Sequence, residues 1–317
     1  MKIAVLEPLG ISAAEMEAYA EDFRRNGHTV TLYPDRTADK AELMRRTGDN
    51  DIIVIANTPY PEEGVREAKN LKLIDVAFTG VDHVPLSVCR EAGVTVCNAA
   101  GYSTPAVAEL AVGLTVACLR KLSEGETAAR NGGTSAGLIG TEIAGKTVGI
   151  LGTGTIGLYA ARLFSAFGAK IIAASRTERA EAKAMGIEYV PMQTLFSTAD
   201  IVSVHVPSNA ATRRLVSREL IDSMKPTAVL INTARGAVVD NEALAKALTE
   251  GRLGAAGIDV FDREPPLSPA EPLLNCPRLI PAPHVGFLTK ESMQRRAKIV
   301  FETVQAFIDG TPKNVCR

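Results

Sequence analysis

The sequence is short of several things at once. It has no excess of either charge: 35 Lys and Arg stand against 36 Asp and Glu, a formal net charge of −1 at pH 7. No basic tail offers itself to nucleic acid or to an anionic membrane surface. No apolar run approaches the ~18 residues that cross a bilayer. The opening Met1-Lys2-Ile3-Ala4-Val5-Leu6 is cut off by Glu7-Pro8 and reads as a first strand, not a secretion signal. The cysteines (Cys89, Cys97, Cys118, Cys276, Cys316) form no CxxC pair, and none has a histidine at zinc-finger spacing. They read as free thiols of a reducing, cytoplasmic compartment, with no metal site. Low-complexity linkers and fixed-period repeats are also missing. What is left is 317 residues, 46% hydrophobic and 22% charged, the mix of a folded protein long enough for two domains.

Short apolar runs alternate with amphipathic stretches. Ile3 to Leu6, Thr29 to Tyr33, Asp51 to Ile55, Leu73 to Phe78 and Val94 to Val96 read as a first series of buried strands. A second series starts at Thr147 to Leu151 and continues through Lys170 to Ala174, Asp200 to Val206, Ala228 to Ile231, Ala255 to Val260 and Leu279-Ile280. Such alternation predicts an α/β protein with two Rossmann-like or flavodoxin-like domains built on parallel sheets. Two helices fall outside both series. One starts at Ser103-Thr104-Pro105, with a hydroxyl cap and a proline at the first turn, and runs to about Leu122. It is apolar on nearly every side, so burial between domains or subunits is expected. After it, Ser123 to Thr141 reads as a glycine-rich loop. The other helix, Thr289 to Ile308, leaves too little chain behind it for a domain. It is therefore expected to return to the first domain. That makes residues 1–100 and 287–317 one domain, the substrate domain, with a dinucleotide-binding domain of residues 101–286 inserted into it.

Gly152-Thr153-Gly154-Thr155-Ile156-Gly157 is a GxGxxG run between a strand and a helix, the context the motif requires. The first glycine permits a tight turn, the second lets the backbone approach a pyrophosphate, and the third lets helix and strand pack closely. NAD-binding versions carry an acid at the end of the next strand, for the ribose hydroxyls. Here that strand ends in Ser175-Arg176-Thr177, with Arg179 beyond it. An acid would repel a 2′-phosphate, whereas a guanidinium can pair with one. NADP(H) is therefore the expected preference, with NAD(H) still possible.

The 4 histidines differ in setting. His28 starts a strand. His83 lies near a loop that could meet substrate. His205, in His205-Val206-Pro207, suits the lining of a cofactor crevice. His284 lies in Pro283-His284-Val285-Gly286, just after a strand and at the expected domain crossing, where α/β enzymes place chemistry. Upstream are Glu264, stiffened by Pro265-Pro266, and Arg235, in Asn232-Thr233-Ala234-Arg235-Gly236. A histidine so placed can give or take a proton near neutral pH. A neighbouring carboxylate favours the imidazolium. A guanidinium matches a substrate carboxylate with two parallel hydrogen bonds and stabilises charge growing on oxygen.

On these runs, together with Gly257 to Pro266 and Thr79-Gly80-Val81-Asp82, the chain resembles the D-isomer-specific 2-hydroxyacid dehydrogenases over nearly its whole length. The resemblance implies Arg235 as binder of the substrate carboxylate, His284 as acid/base and Glu264 as its partner. It implies substrate contacts at the backbone of Thr79, Gly80 and Val81. Around the cofactor it implies Val206, Pro207, Thr212, Thr233, Ala234, Asp259, His284 and Gly286, besides the glycine-rich turn and Ser175 to Thr177. Formate dehydrogenases of the superfamily carry Gln where Glu264 stands, so formate is not expected. Phosphoglycerate dehydrogenases usually have an arginine after the third strand. Here Ala56-Asn57-Thr58-Pro59 shows no cation, and a small unphosphorylated acid such as glyoxylate, hydroxypyruvate or pyruvate is favoured. Asn57, Thr58, Tyr60 and Tyr102 are candidate pocket residues, and each fits ordinary loop chemistry equally well. An NAD-dependent phosphoglycerate dehydrogenase, or a nucleotide-sensing corepressor-like binding protein, remains the alternative. The resemblance also implies a homodimer, through the apolar helix and the stretch after it.

Overall fold

The short apolar runs form two parallel sheets, each built as a doubly wound layer. The computed structural model describes residues 1–263 and 267–316. The chain divides into two compact units, Met1–Ser103 with Leu288–Arg317, and Thr104–Phe287.

The first unit contains β1 (Lys2–Val5), β2 (Thr29–Leu32), β3 (Ile52–Ile55), β4 (Leu73–Val76) and β5 (Thr95–Asn98), in the order β2-β1-β3-β4-β5. Every residue of β3 and β4 is buried, as expected of parallel strands covered on both faces. Three of the covering helices, Ala13–Arg25, Lys40–Thr47 and Lys290–Ile308, begin where a side chain replaces a missing backbone partner. Ser12 and Glu15 close a reciprocal capping box on the helix Ala13–Arg25. Thr289 accepts from the Ser292 amide at the start of the helix Lys290–Ile308. This last helix is fastened from inside. Its Arg296, 4% exposed, donates from Nε to the Leu9 carbonyl at 3.1 Å and lies 5.2 Å from the centre of the Phe78 ring. An antiparallel bridge between Val315 and Cys97 follows it.

The second unit contains β6 (Thr147–Leu151), β7 (Lys170–Ala174), β8 (Glu188–Tyr189), β9 (Ile201–Val204), β10 (Val229–Asn232), β11 (Ala255–Ile258) and β12 (Leu279–Pro281). The order is β12-β11-β10-β9-β6-β7-β8, again all parallel. The connection reverses direction between β6 and β9, the switch point where doubly wound sheets open a crevice at their carboxyl ends. The apolar helix Thr104–Leu119 packs on β10, β11 and the helix Thr155–Ala166 of this unit.

The stretch expected to be a loop after that helix is different. Lys121 turns left-handed, with φ 49°, and a new helix, Leu122–Arg130, begins. Glycines and a lack of apolar residues argue for a loop there. None of the helix's residues is buried, so no apolar stripe marks it; good helix formers and the Glu126–Arg130 pair one turn apart favour it instead. Among the described residues, no helix is long and apolar enough to cross a membrane, and no cluster of His, Cys, Asp or Glu could hold a metal ion.

One group in the first unit works against the fold. Asp75, on β4 between β3 and the edge strand β5, is 0% exposed, and neither carboxylate oxygen has a hydrogen-bond partner. Burial pushes its carboxyl well above the ordinary value of 3.8. A folded value above the unfolded one means that the unfolded chain releases this proton first. Stability is then complete at low pH and lost as pH rises between the two values. Asp75→Asn should raise the thermal midpoint near neutral pH, and the gain should fade below about pH 4, where the aspartate is protonated in both states. Melting curves across that range check this; an equal shift at both ends would locate the cost elsewhere.

Candidate active site

β6 runs directly into the glycine-rich turn, and Gly154 caps the helix Thr155–Ala166 without any side-chain cap. Gly152 has φ 97°, and a Cβ there would also lie 2.6 Å from the His205 carbonyl oxygen. A Cβ on Gly157 would be driven into the carbonyl oxygen of Gly152. Gly154 is the contrast, because no protein atom lies within 4 Å of where its Cβ would be. Open space above a glycine, beside the first amides of a helix, fits the pyrophosphate of a dinucleotide.

This turn forms one wall of a cavity of about 570 Å³, large enough for much of a cofactor. Gly152, Gly154, Ser175, Arg176, Thr177, Val206, Pro207 and Thr212 all line it. Thr155, Ile156 and Gly157 form the start of the adjoining helix and are not among its lining. The lining contains no Asp or Glu, and its two guanidiniums, Arg176 and Arg179, make no ion pair among the described residues. His205 also lines it. Burial pushes His205 down to about 4, so it is neutral at pH 7, with Nε2 2.8 Å from Ser203 Oγ. Sequence reasoning misses Tyr189, whose hydroxyl bonds to the Arg179 amide and to Thr153. Its strand β8 has only 2 residues, too few to show alternation.

Thr233, Ala234, Asp259, His284 and Gly286 lie outside this lining, beyond the ends of β10, β11 and β12. At the end of β10, buried Asn232 accepts from the Ala234 amide at 3.0 Å and donates to the Arg235 carbonyl at 2.9 Å. It thereby shapes the turn that presents Arg235, whose Nη1 donates to the Ala234 carbonyl at 2.8 Å. Thr233 is 8% exposed, and its Oγ1 has no hydrogen-bond partner. Such an orphaned hydroxyl suits a ligand that can complete it. A Cβ on Gly236 would be driven into the Phe261 carbonyl, so only glycine lets this turn lie against the loop after β11.

That loop carries Asp259, 1% exposed. Its carboxylate accepts from the amides of Val285 and Gly286, both at 2.8 Å, and its carbonyl accepts from the His284 amide at 2.8 Å. His284 is held at φ 56°, an unusual conformation for a residue other than glycine. Its ring meets Phe287 edge-on at 5.5 Å. Asp259, expected to face the cofactor, thus has both oxygens committed to the backbone that carries His284. Glu264, expected beside His284, lies outside the described residues.

In the first unit, the Thr79 carbonyl accepts from Asn98 Nδ2 at 2.7 Å, which pins the run Thr79-Gly80-Val81. Thr79 is exposed, and Asn57, Gly80 and Val81 are half-buried. Glu7, 4% exposed, accepts from the Ala56 amide at 2.7 Å and the Thr58 amide at 3.1 Å. A cation absent from the local sequence also reaches this loop. Arg36 donates to Thr58 Oγ1 at 3.0 Å and to the Asn57 carbonyl at 3.1 Å, 3.6 Å from the Glu7 carboxylate. Tyr60 and Tyr102 are 4% and 1% exposed, so they are core residues and not pocket residues. Tyr60 shares a 2.7 Å hydrogen bond with Thr47, and Tyr102 packs against Phe78.

Residues 112–286 match the family model described as D-isomer specific 2-hydroxyacid dehydrogenase, NAD binding domain. A hydroxypyruvate reductase of Thermotoga maritima is 38% identical over 260 residues, 81% of this chain and 84% of that one. A glyoxylate reductase of Thermofilum pendens is 37% identical over 279 residues, 86% of this chain and 82% of that one. Among solved structures, an acyclic imino acid reductase in complex with NADPH and D-Arg superposes with a TM-score of 0.91 at 26% identity, covering 100% of both chains. The glycine-rich turn, the parallel sheets and these matches agree: the chain belongs to the D-isomer-specific 2-hydroxyacid dehydrogenases, nicotinamide-dependent oxidoreductases that act between 2-oxo and 2-hydroxy acids.

Proposed function

We propose that this chain reduces a small, unphosphorylated 2-oxo acid to its D-2-hydroxy acid, or runs the reverse, with NADP(H) preferred over NAD(H). The observation that carries the cofactor choice is the acid-free, doubly cationic end of the cavity at Arg176 and Arg179. A carboxylate there would repel a 2′-phosphate, while two guanidiniums attract it. The imino acid reductase that superposes on this chain is a complex with NADPH, which points the same way. A small acid is supported by the names of the glyoxylate and hydroxypyruvate reductase relatives. Arg36 brings positive charge to Asn57, but Glu7 and the loop already balance it.

Bound nicotinamide supplies or accepts the hydride. The chain's own work is to bind, orient and move a proton. Arg235 takes the substrate carboxylate and polarises the oxygen at carbon 2. His284 gives a proton to that oxygen in reduction and removes it in oxidation, with Glu264 as its partner. In the first unit, the Thr79 to Val81 backbone and Asn57 contact substrate. Thr233, with its unpartnered hydroxyl, and the neighbouring Ala234, Asp259 and Gly286 belong with the nicotinamide end. The protein works as a cytoplasmic homodimer.

His284→Ala and Arg235→Ala should each lose about a hundredfold or more in kcat/KM, the scale of one acid/base or electrostatic element. Wild-type rates in both variants would reject these roles. A panel of glyoxylate, hydroxypyruvate, pyruvate and phosphohydroxypyruvate, each with NADPH and NADH, tests the substrate and cofactor together. The unphosphorylated acids with NADPH should give the highest kcat/KM. Preference for phosphohydroxypyruvate would hand Arg36 a phosphate-binding role, and nucleotide binding without turnover of any acid would favour a sensor. Light scattering on the purified chain should return twice the 33.6 kDa of one copy.

A further inference from the structure

A ring of hydrogen bonds starts and ends on the loop that carries the two cavity arginines. The Arg179 amide donates to Tyr189 Oη at 2.9 Å. Tyr189 donates in turn to Thr153 Oγ1 at 2.8 Å. Thr153, 2% exposed, reaches the Thr177 carbonyl at 3.5 Å. The amide can only donate, so the tyrosine accepts there, and its own proton goes to Thr153. Thr153 then has one proton left, and the Thr177 carbonyl can only accept. The relay therefore runs one way, from residue 179 through β8 and the glycine-rich turn back to residue 177.

Its members stand where cofactor recognition would happen. Thr153 is the middle residue of Gly152-Thr153-Gly154, and Thr177 and Arg179 line the same cavity with Arg176 between them and β7. Arg179 precedes the helix Ala180–Ala184, which has no side-chain cap; on that side the Lys183–Glu178 ion pair at 2.6 Å and the Lys183 amide on the Arg179 carbonyl hold the loop, but neither reaches the glycine-rich turn. Tyr189 is placed by the pairing of β8 with β7, opposite Ala173. It thereby couples the spacing of the turn and the arginine loop to the sheet itself.

We infer that Tyr189 is a positioning residue for cofactor choice: through Thr153 and the Arg179 amide it holds the arginine loop where a ribose 2′-phosphate would be met. The inference rests on reading the cavity as a 2′-phosphate site, and its test separates the two. A mobile loop would still leave the glycine-rich turn able to hold a pyrophosphate. The loss therefore falls on the 2′-phosphate and not on the rest of the nucleotide.

Calorimetric titration of the full chain with adenosine 2′,5′-bisphosphate and with adenosine 5′-monophosphate measures the 2′-phosphate contribution without turnover. The wild type should bind the bisphosphate about tenfold or more tightly, as charge-assisted bonds to a phosphate provide. Tyr189→Phe should shrink that preference by roughly 5- to 10-fold, the scale of one ordered hydrogen bond. It should leave the monophosphate affinity nearly unchanged and raise KM for NADPH at constant kcat. Thr153→Ala, which cuts the same relay from the other side, should shrink the preference by a similar factor, and the double variant should lose little more of it. A wild type indifferent to the 2′-phosphate overturns the reading of the cavity. A wild type that prefers it, with Tyr189→Phe keeping the full preference, overturns the role of Tyr189. Equal weakening of both nucleotides also overturns that role, since it would mark the tyrosine as general support for the fold.

Discussion

The carboxylate of Asp259 is the fixed point of the carboxyl-terminal ends of β10 to β12. It is almost fully buried, and it accepts from two successive amides, Val285 and Gly286, while its own carbonyl takes the amide of His284. Charge-assisted bonds of this kind are roughly twice as strong as neutral ones. Together they hold a histidine in a left-handed conformation that would otherwise cost of order 1–3 kcal/mol. Gly236 adds the second constraint, because only a missing side chain lets the Arg235 turn press on the loop that bears Asp259. The arginine turn and the histidine segment are thus referred to one loop. Small errors in that loop would reach both at once.

The fold is legible where burial makes the sequence monotonous. β3 reads Ile-Ile-Val-Ile and is covered at every position, so an uninterrupted apolar run is enough to find it. The same logic fails where packing leaves no stripe. The helix Leu122–Arg130 buries nothing and reads as a loop. β8, with its 2 residues, escapes notice because its place depends on a neighbour and not on its own pattern. Asp75 illustrates the opposite failure. Sequence gives no warning that a strand's one acid points into a dry core.

The site is legible where chemistry forces residue identity through local sterics. The glycines at 152, 154 and 157 can be assigned separate roles, and the surroundings of each fit those roles. Arg176 can be read from the absence of an acid. Relations between distant segments are not readable. Tyr60 and Tyr102 look like pocket residues because tyrosine in a loop often is one, yet both fill the core. Arg36 is invisible at Ala56-Asn57-Thr58-Pro59 because another loop delivers it. Asp259 reads as a ligand contact, and its hold on amides 26 and 27 residues on is a relation the local pattern does not encode.

The fastening of the helix Lys290–Ile308 by Arg296 bears on how the chain acquires its shape during synthesis. The second unit is continuous from Thr104 to Phe287, so all of its sheet has been synthesised before that helix is made. The first unit is interrupted. Its five strands emerge early, but the cover that Arg296 pins to Leu9 arrives 287 positions later. Nascent chains fold by units. The amino-terminal strands must therefore wait, with part of their apolar surface unclosed, until that helix has emerged, and the interval is set by the length of the insertion.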